Sequence, residues 1–346
     1  MSRKLLAAAV IAVALLGTLL AVGCKSDIAK ISSPWPFAEK ERAVPKPAEP
    51  PRWPYTGKKA PSARAIRRRP LSVKIENSAS SRPQVGINSA DVVYETISEG
   101  GITRFNCIFG STVPNTVGPV RSARLSDLWI VPQYDALFVF SGASNSVNRQ
   151  VNQANLPNLS QDAGVMAPFS RNPSRAAPHN LFLDTDQAYE TAQDRGYKTT
   201  AKLQPLQFDR SAREQTVTVT EISIPFSPAN TVRWEYDDGS YKRYNNGSPH
   251  TDAGQGKQVR AKNVVVIWAK YEAASRDRVG STTFRINLGG KGRVSVFRNG
   301  ERFDGTWIAN RTSPPKFKDS DGRPIKLAPG RTWFQVLPLN GSITMK

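Results

Sequence analysis

The chain has 346 residues, which leaves room for one large domain or two modest ones, each with a real core. Its formal charge of +20 would suit nucleic acid in a cytoplasmic protein, but the leader described next carries the body out of the cytoplasm and excludes that partner. With two cysteines, Cys24 and Cys107, a disulfide-stapled scaffold is excluded as well.

Arg3 and Lys4 precede an apolar or small-residue run from Leu5 to Val22, which ends Ala21-Val22-Gly23-Cys24. This is the pattern of a lipoprotein signal peptide over residues 1–23, with Cys24 as the lipidated residue and Ala21 standing where leucine is usual. The run is also close to the shortest membrane-spanning helices, so an uncleaved anchor remains an alternative, as does a plain cleaved signal peptide. All three place the body outside. Each buried acyl methylene adds about 0.8 kcal/mol, so the several chains of a mature lipoprotein hold firmly. The expected location is the extracytoplasmic face of the cell membrane, or the outer membrane of a two-membrane cell.

Residues 24–66 read as a basic, proline-rich tether, with the basic cluster Arg67 to Arg69 just beyond it. Residues 1–70 hold 14 Lys and Arg against 4 Asp and Glu, half of the whole positive surplus. Outside a bacterium, lipid headgroups and anionic wall polymers are the partners such charge would meet.

The folded body is expected from Leu71, where Leu71-Ser72-Val73-Lys74-Ile75 alternates in polarity. Apolar strand-like runs follow at Asp91 to Ile97, Ile102 to Phe109 and Ala136 to Phe140. In the second of these, Phe105, Cys107 and Phe109 share one face, which makes Cys107 a small buried hydrophobe rather than a nucleophile. Asp184 to Arg195 predicts a helix, capped by Asp184 with Gln187 three residues on and closed by Gly196. Beyond residue 212 the pattern turns to strands, at Thr216 to Ile224, Thr231 to Tyr236, Ser240 to Tyr244, Asn263 to Ala269, Thr282 to Asn287, Arg293 to Arg298 and Thr332 to Leu337. Asp238-Gly239 and Asn299-Gly300 are tight-turn pairs. The glycines of LGGKGRVSVFRNG read as an ordinary turn into a hairpin, and Trp307 and Trp333 as core aromatics. The expected fold is an α/β or α+β amino-terminal domain over 67–205, followed by a mostly antiparallel β carboxy-terminal domain over 206–346.

Charged and amide groups crowd the glycines of ETISEGGITRF, GPVRSARLSD and SRNPSRAAPHN. Glu95, Glu99, Arg104, Arg121, Arg124, Asp127, Arg175, His179 and Asn180 form the candidate ligand site. Three readings stand: a pocket for a ligand or partner, a structural ion-pair network, or a hydrolytic centre. Glu95 and Glu99 would pair as acid and base only if the chain turns before Glu99. A candidate second site is His250 with Asp252, as an acid–base pair or as an ordered loop at the domain junction. A zinc site would need His179 to join them across a shared cleft, and no metal or other cofactor is expected. GxSxG, HExxH, P-loop and dinucleotide patterns are absent from the sequence, which disfavours the enzymes that carry them.

Read as a whole, RRPLSVKIENSASSRPQVGINSADVVYETISEGGITRFNCIF, VGPVRSARLSD and SRAAPHNLF, with the later YKRYNNGSPHTD, NVVVIWA, FDGTWI and PGRTWFQVLP, resemble the YerB-like family of bacterial lipoproteins. The resemblance runs from about Arg68 to Leu337 and implies export, a lipobox and two packed domains. It brings no reaction or ligand. The expected function is to bind or scaffold a cell-wall component or an exported protein, with a peptidoglycan-active hydrolase as the alternative.

Overall fold

The computed structural model describes residues 49–209, 217–276 and 282–346, and these belong to one compact unit. The leader, Cys24 and the first part of the expected tether lie outside the described residues. Among the described residues no helix is long and apolar enough to cross a membrane.

The centre of the fold is a mixed sheet of eleven strands. Three of them, β1 (Leu71–Glu76), β2 (Val92–Ile97) and β3 (Thr103–Phe109), lie side by side in the order β2, β3, β1, with antiparallel pairing. Leu137–Phe140 and then Asn158–Ser160 extend the sheet in parallel beyond β1. On the other side Thr332–Pro338, near the carboxy terminus, runs parallel to β2 and also to Asn263–Arg276, so residues distant in sequence share one sheet. The meander Asn263–Arg276, Gly290–Arg298, Glu301–Ala309 and Lys316–Lys318 completes that side by antiparallel pairing.

Both faces are covered. One carries a second, six-stranded sheet that includes Glu221–Ser227, Asn230–Asp237 and Ser240–Asn245, together with helix α3 (Thr185–Asp194). There Val73, Ile75, Phe105 and Cys107 pack with Ile222, Ile224 and Trp234. Trp333 sits edge-on to Phe105 and near Trp234, with ring centres 5.2 Å away in both pairs. Such aromatic pairs add about 0.5–1.5 kcal/mol each beyond area burial. The other face is covered by α1 (Asp127–Gln133) and α2 (Asn145–Gln153), which bury Ile130, Val131, Val147 and Val151.

The amino-terminal part is thus a mixed sheet with few helices, and the carboxy-terminal part is mostly antiparallel strands. The expected helix forms over Thr185–Asp194, where the Asp184 side chain accepts from the Gln187 amide at 3.0 Å. Asp237 pairs with Ser240 and Arg298 with Glu301, so both tight-turn pairs close hairpins with positive φ at Asp238, Gly239, Asn299 and Gly300. Trp307 and Trp333 are core residues, and burial pushes the Cys107 thiol well up. The body, however, begins earlier than Leu71. Tyr55 is buried and donates to the Tyr134 carbonyl, and the Leu206 amide bonds to the Pro54 carbonyl, so the end of the expected tether is docked by an aromatic anchor that a proline-rich composition hides.

Candidate functional site

Charged groups occupy both faces of the central strands; one set has side chains that reach solvent, whereas the ion pair at the heart of the other is fully buried. In the antiparallel register of β1 and β3, Glu76 stands opposite Arg104. Glu76 is buried. Its Oε2 accepts from His179 Nδ1 at 3.0 Å, its Oε1 accepts from Ser78 Oγ at 3.1 Å, and Arg121 Nε lies 3.2 Å from Oε1 with its N–H not aimed at the oxygen. His179 and Arg121 remain about one-quarter exposed, at 24% and 23% of their side chains.

Beside this trio Arg124 makes a close ion pair with Glu99, also through Nε at 2.9 Å. Burial pushes the Glu99 carboxyl up, but the Arg124 charge and the hydrogen bonds from Arg124 and Ser98 pull it to about 2. The Ser122 carbonyl receives both Arg124 Nη1, at 3.1 Å, and Arg104 Nη1, at 3.4 Å. Two guanidinium groups therefore lean on one neutral acceptor. Arg104 is 7% exposed, and its Nε is buried with no hydrogen-bond partner among the described residues. Burial, and then the neighbouring Arg124 charge, lower the Arg104 guanidinium to about 9. The set holds three arginines against two carboxylates, and its arginine donors suit the oxygens of a carboxylate or phosphate.

Of the expected site residues, Glu99, Arg104, Arg121, Arg124 and His179 come together here. Arg175 and Asn180 support them from outside: Arg175 donates to the Ser81 and Pro83 carbonyls, and Asn180 Nδ2 donates to the Arg175 carbonyl, which pins the loop that carries His179. Asp127 is fully buried and accepts from Lys74 Nζ at 2.8 Å, from Asn106 Nδ2 and from the Arg124 amide. It positions Arg124 rather than facing solvent.

Glu95 belongs to the opposite face. It forms a fully buried two-point ion pair with Arg243, at 2.8 and 2.9 Å, and also accepts from Thr103, Trp333 and Gln335. The turn after Ile97 therefore separates Glu95 from Glu99 and gives each its own arginine, which removes the paired-acid reading. Arg243 Nη1 lies 2.6 Å from His250 Nδ1, and His250 Nε2 lies 2.6 Å from Gln84 Oε1. Because the guanidinium can only donate, Nδ1 accepts and the Nε2–H donates to Gln84. Burial first, then the charges of Arg243 and Arg82, hold the His250 imidazole well below its ordinary value, so it stays neutral. Asp252 accepts from the backbone amides of Gly86, Asn88 and Gly254, not from His250. The two residues of the expected second site are separate buried ties between the amino- and carboxy-terminal parts, and His179 pairs with Glu76 instead of joining them.

Glu76, Ser78, Arg243 and Gln84 are the residues that sequence reasoning missed. The alternation of Tyr241, Arg243 and Asn245 against Lys242 and Tyr244 did carry a signal for Arg243, since it puts an arginine on the apolar face of a strand.

Comparison with known proteins agrees with this architecture. Residues 55–198 match the N-terminal domain, and residues 222–334 the C-terminal domain, of the family described as "Protein of unknown function (DUF3048)". The chain is similar to "Putative lipoprotein YerB" of Bacillus subtilis (strain 168), with 31% identity over 312 residues that cover 87% of this chain and 90% of that protein. It is also similar to the crystal structure of the YerB protein from Bacillus subtilis, with a TM-score of 0.76, 30% identity, and coverage of 85% of this chain and 99% of that one. With both domain regions matched and a relative aligned over most of its length, the chain belongs to the two-domain DUF3048 family.

Proposed function

We propose that the protein is a lipid-anchored lipoprotein of the extracytoplasmic membrane face, whose body binds an anionic cell-wall polymer at Arg104, Arg121 and Arg124. The leader with Cys24 supports the anchor, as does the name of the Bacillus subtilis relative. The observation that carries the binding reading is Arg104, a nearly buried guanidinium held against Arg124 with an Nε that meets no acceptor among the described residues. A buried cation without a full set of partners costs stability, and an incoming oxyanion would offset that cost.

Two features weigh against hydrolysis. Glu99, at about 2, is a poor general acid at neutral pH. Ser78 and Glu76 both approach the same His179 nitrogen, Nδ1, whereas a nucleophilic relay needs the serine on one ring nitrogen and the acid on the other.

Two measurements test the reading. Detergent-solubilised protein is expected to bind purified anionic wall polymer in a salt-sensitive way, and Arg104→Gln is expected to weaken binding at least tenfold with no new reducing ends or amines released. Unchanged affinity in that variant would remove the site from the function. Cys24→Ser is expected to abolish acylation and shift the protein out of the lipid-anchored membrane fraction; retained lipid labelling would refute the anchor.

A further inference from the structure

Behind the buried Arg243–Glu95 pair lies a second opening, on the six-stranded-sheet side. A cavity of about 330 Å³ is lined by Arg82, Pro83, Asn245, Ser248, His250 and Thr251. Arg82 comes from the amino-terminal family region, and the residues from Asn245 onward come from the carboxy-terminal one.

Charge decides what this cavity suits. Arg243 is matched by Glu95 through two hydrogen bonds. His250 is neutral, because its Nδ1 accepts from Arg243 and its Nε2–H is committed to Gln84. Arg82 is then a surplus cation. It makes no ion pair among the described residues, and its Nη1 is buried without a hydrogen-bond partner. Burial and the nearby Arg243 charge, opposed in part by Glu95, lower its guanidinium from the usual arginine range. Ser248 adds an exposed polar side chain at the rim. The volume falls at the lower end of small-ligand pockets.

We infer that this cavity is a second ligand site, which takes the oxyanion group of a small carboxylate- or phosphate-bearing molecule on Arg82. A ligand held there touches both family regions at once and so braces their junction. The cavity shares no lining residue with the Arg104 cluster, and Arg175, which donates to the Ser81 and Pro83 carbonyls, ties down the Arg82 segment between them.

The test uses the full chain in a non-ionic detergent, titrated in parallel with inorganic phosphate and with acetate. Calorimetry gives affinity, and the imidazole resonances of the only two histidines, His179 and His250, report where each anion binds. At least one anion is expected to shift the His250 signals saturably; whichever binds more tightly identifies the group as phosphate or carboxylate. Arg82→Gln is expected to weaken that event at least tenfold, while Arg104→Gln leaves it in place and affects only the event that shifts His179. Failure of both anions to move the wild-type His250 signals would overturn the inference without any variant having to fold. Arg82→Gln binding as tightly as wild type would overturn it too, and neither result bears on the Arg104 site.

Discussion

Replacing Arg243 by methionine is expected to destabilise the fold by about 3–5 kcal/mol, close to the whole stability of a marginal domain. The loss does not come from the strength of the ion pair in isolation. It comes from what remains: a carboxylate closed off from solvent whose remaining donors among the described residues are Thr103, Trp333 and Gln335. The guanidinium also sits among three aromatic rings, 5.0 Å from the centre of Trp333, 5.4 Å from Phe105 and 5.9 Å from Trp234, so its removal disturbs the packing between the two sheets. Adding Glu95→Gln to the same chain removes the stranded charge and is expected to recover more than half of the loss. Urea unfolding of the wild type, the single variant and the double variant measures both. A single variant within 1 kcal/mol of wild type would show that the pair does not hold the two sheets together.

This pair also shows where the sequence was legible and where it was not. Alternation placed Val73, Phe105 and Cys107 correctly on one inner face, and cap and turn chemistry located α3 and the two hairpins, because each of those signals is local. The same alternation makes Ser72, Lys74 and Glu76 look like a solvent face. They are buried, because α1 and neighbouring segments cover that side of the sheet. Nothing local says that a sheet is covered twice. Nor does any short-range pattern announce that Thr332–Pro338 returns to lie between β2 and Asn263–Arg276, which brings Trp333 and Gln335 to Glu95 across some 240 residues. The crowding of Arg104, Arg121 and Arg124 near Glu99 was legible as composition. Its division into an open cluster and two buried pairs was not, since that division depends on which face each residue takes after the turns that follow β1 and β2.

Asp127→Asn is expected to cost about 3–5 kcal/mol at neutral pH, because it leaves the Lys74 ammonium buried with no counter-charge. The effect has a pH signature that a general packing defect lacks. Burial already lowers the Lys74 ammonium from its usual value, with Asp127 opposing that shift. Without the carboxylate the folded-state value falls further, so the native variant sheds a proton that the unfolded chain keeps until the ordinary lysine range near 10.5. The unfolded state then binds more protons, and the variant's stability rises with pH across that window. Its deficit against wild type is therefore largest near neutrality and shrinks as pH rises, by up to about 1.4 kcal/mol for each pH unit in which the folded wild type still holds the Lys74 proton and the folded variant does not. Lys74→Met on the same background is expected to flatten this slope. Unfolding at pH 7 and pH 9.5 measures it, and a deficit that does not change with pH would mean that Lys74 is not the stranded charge. The consequence reaches the open cluster, since Asp127 also holds the Arg124 amide at 2.7 Å. A folded Asp127→Asn chain should therefore bind anions less tightly than wild type even though residue 127 touches no ligand, which ties the charge buried under α1 to the arginines that face solvent.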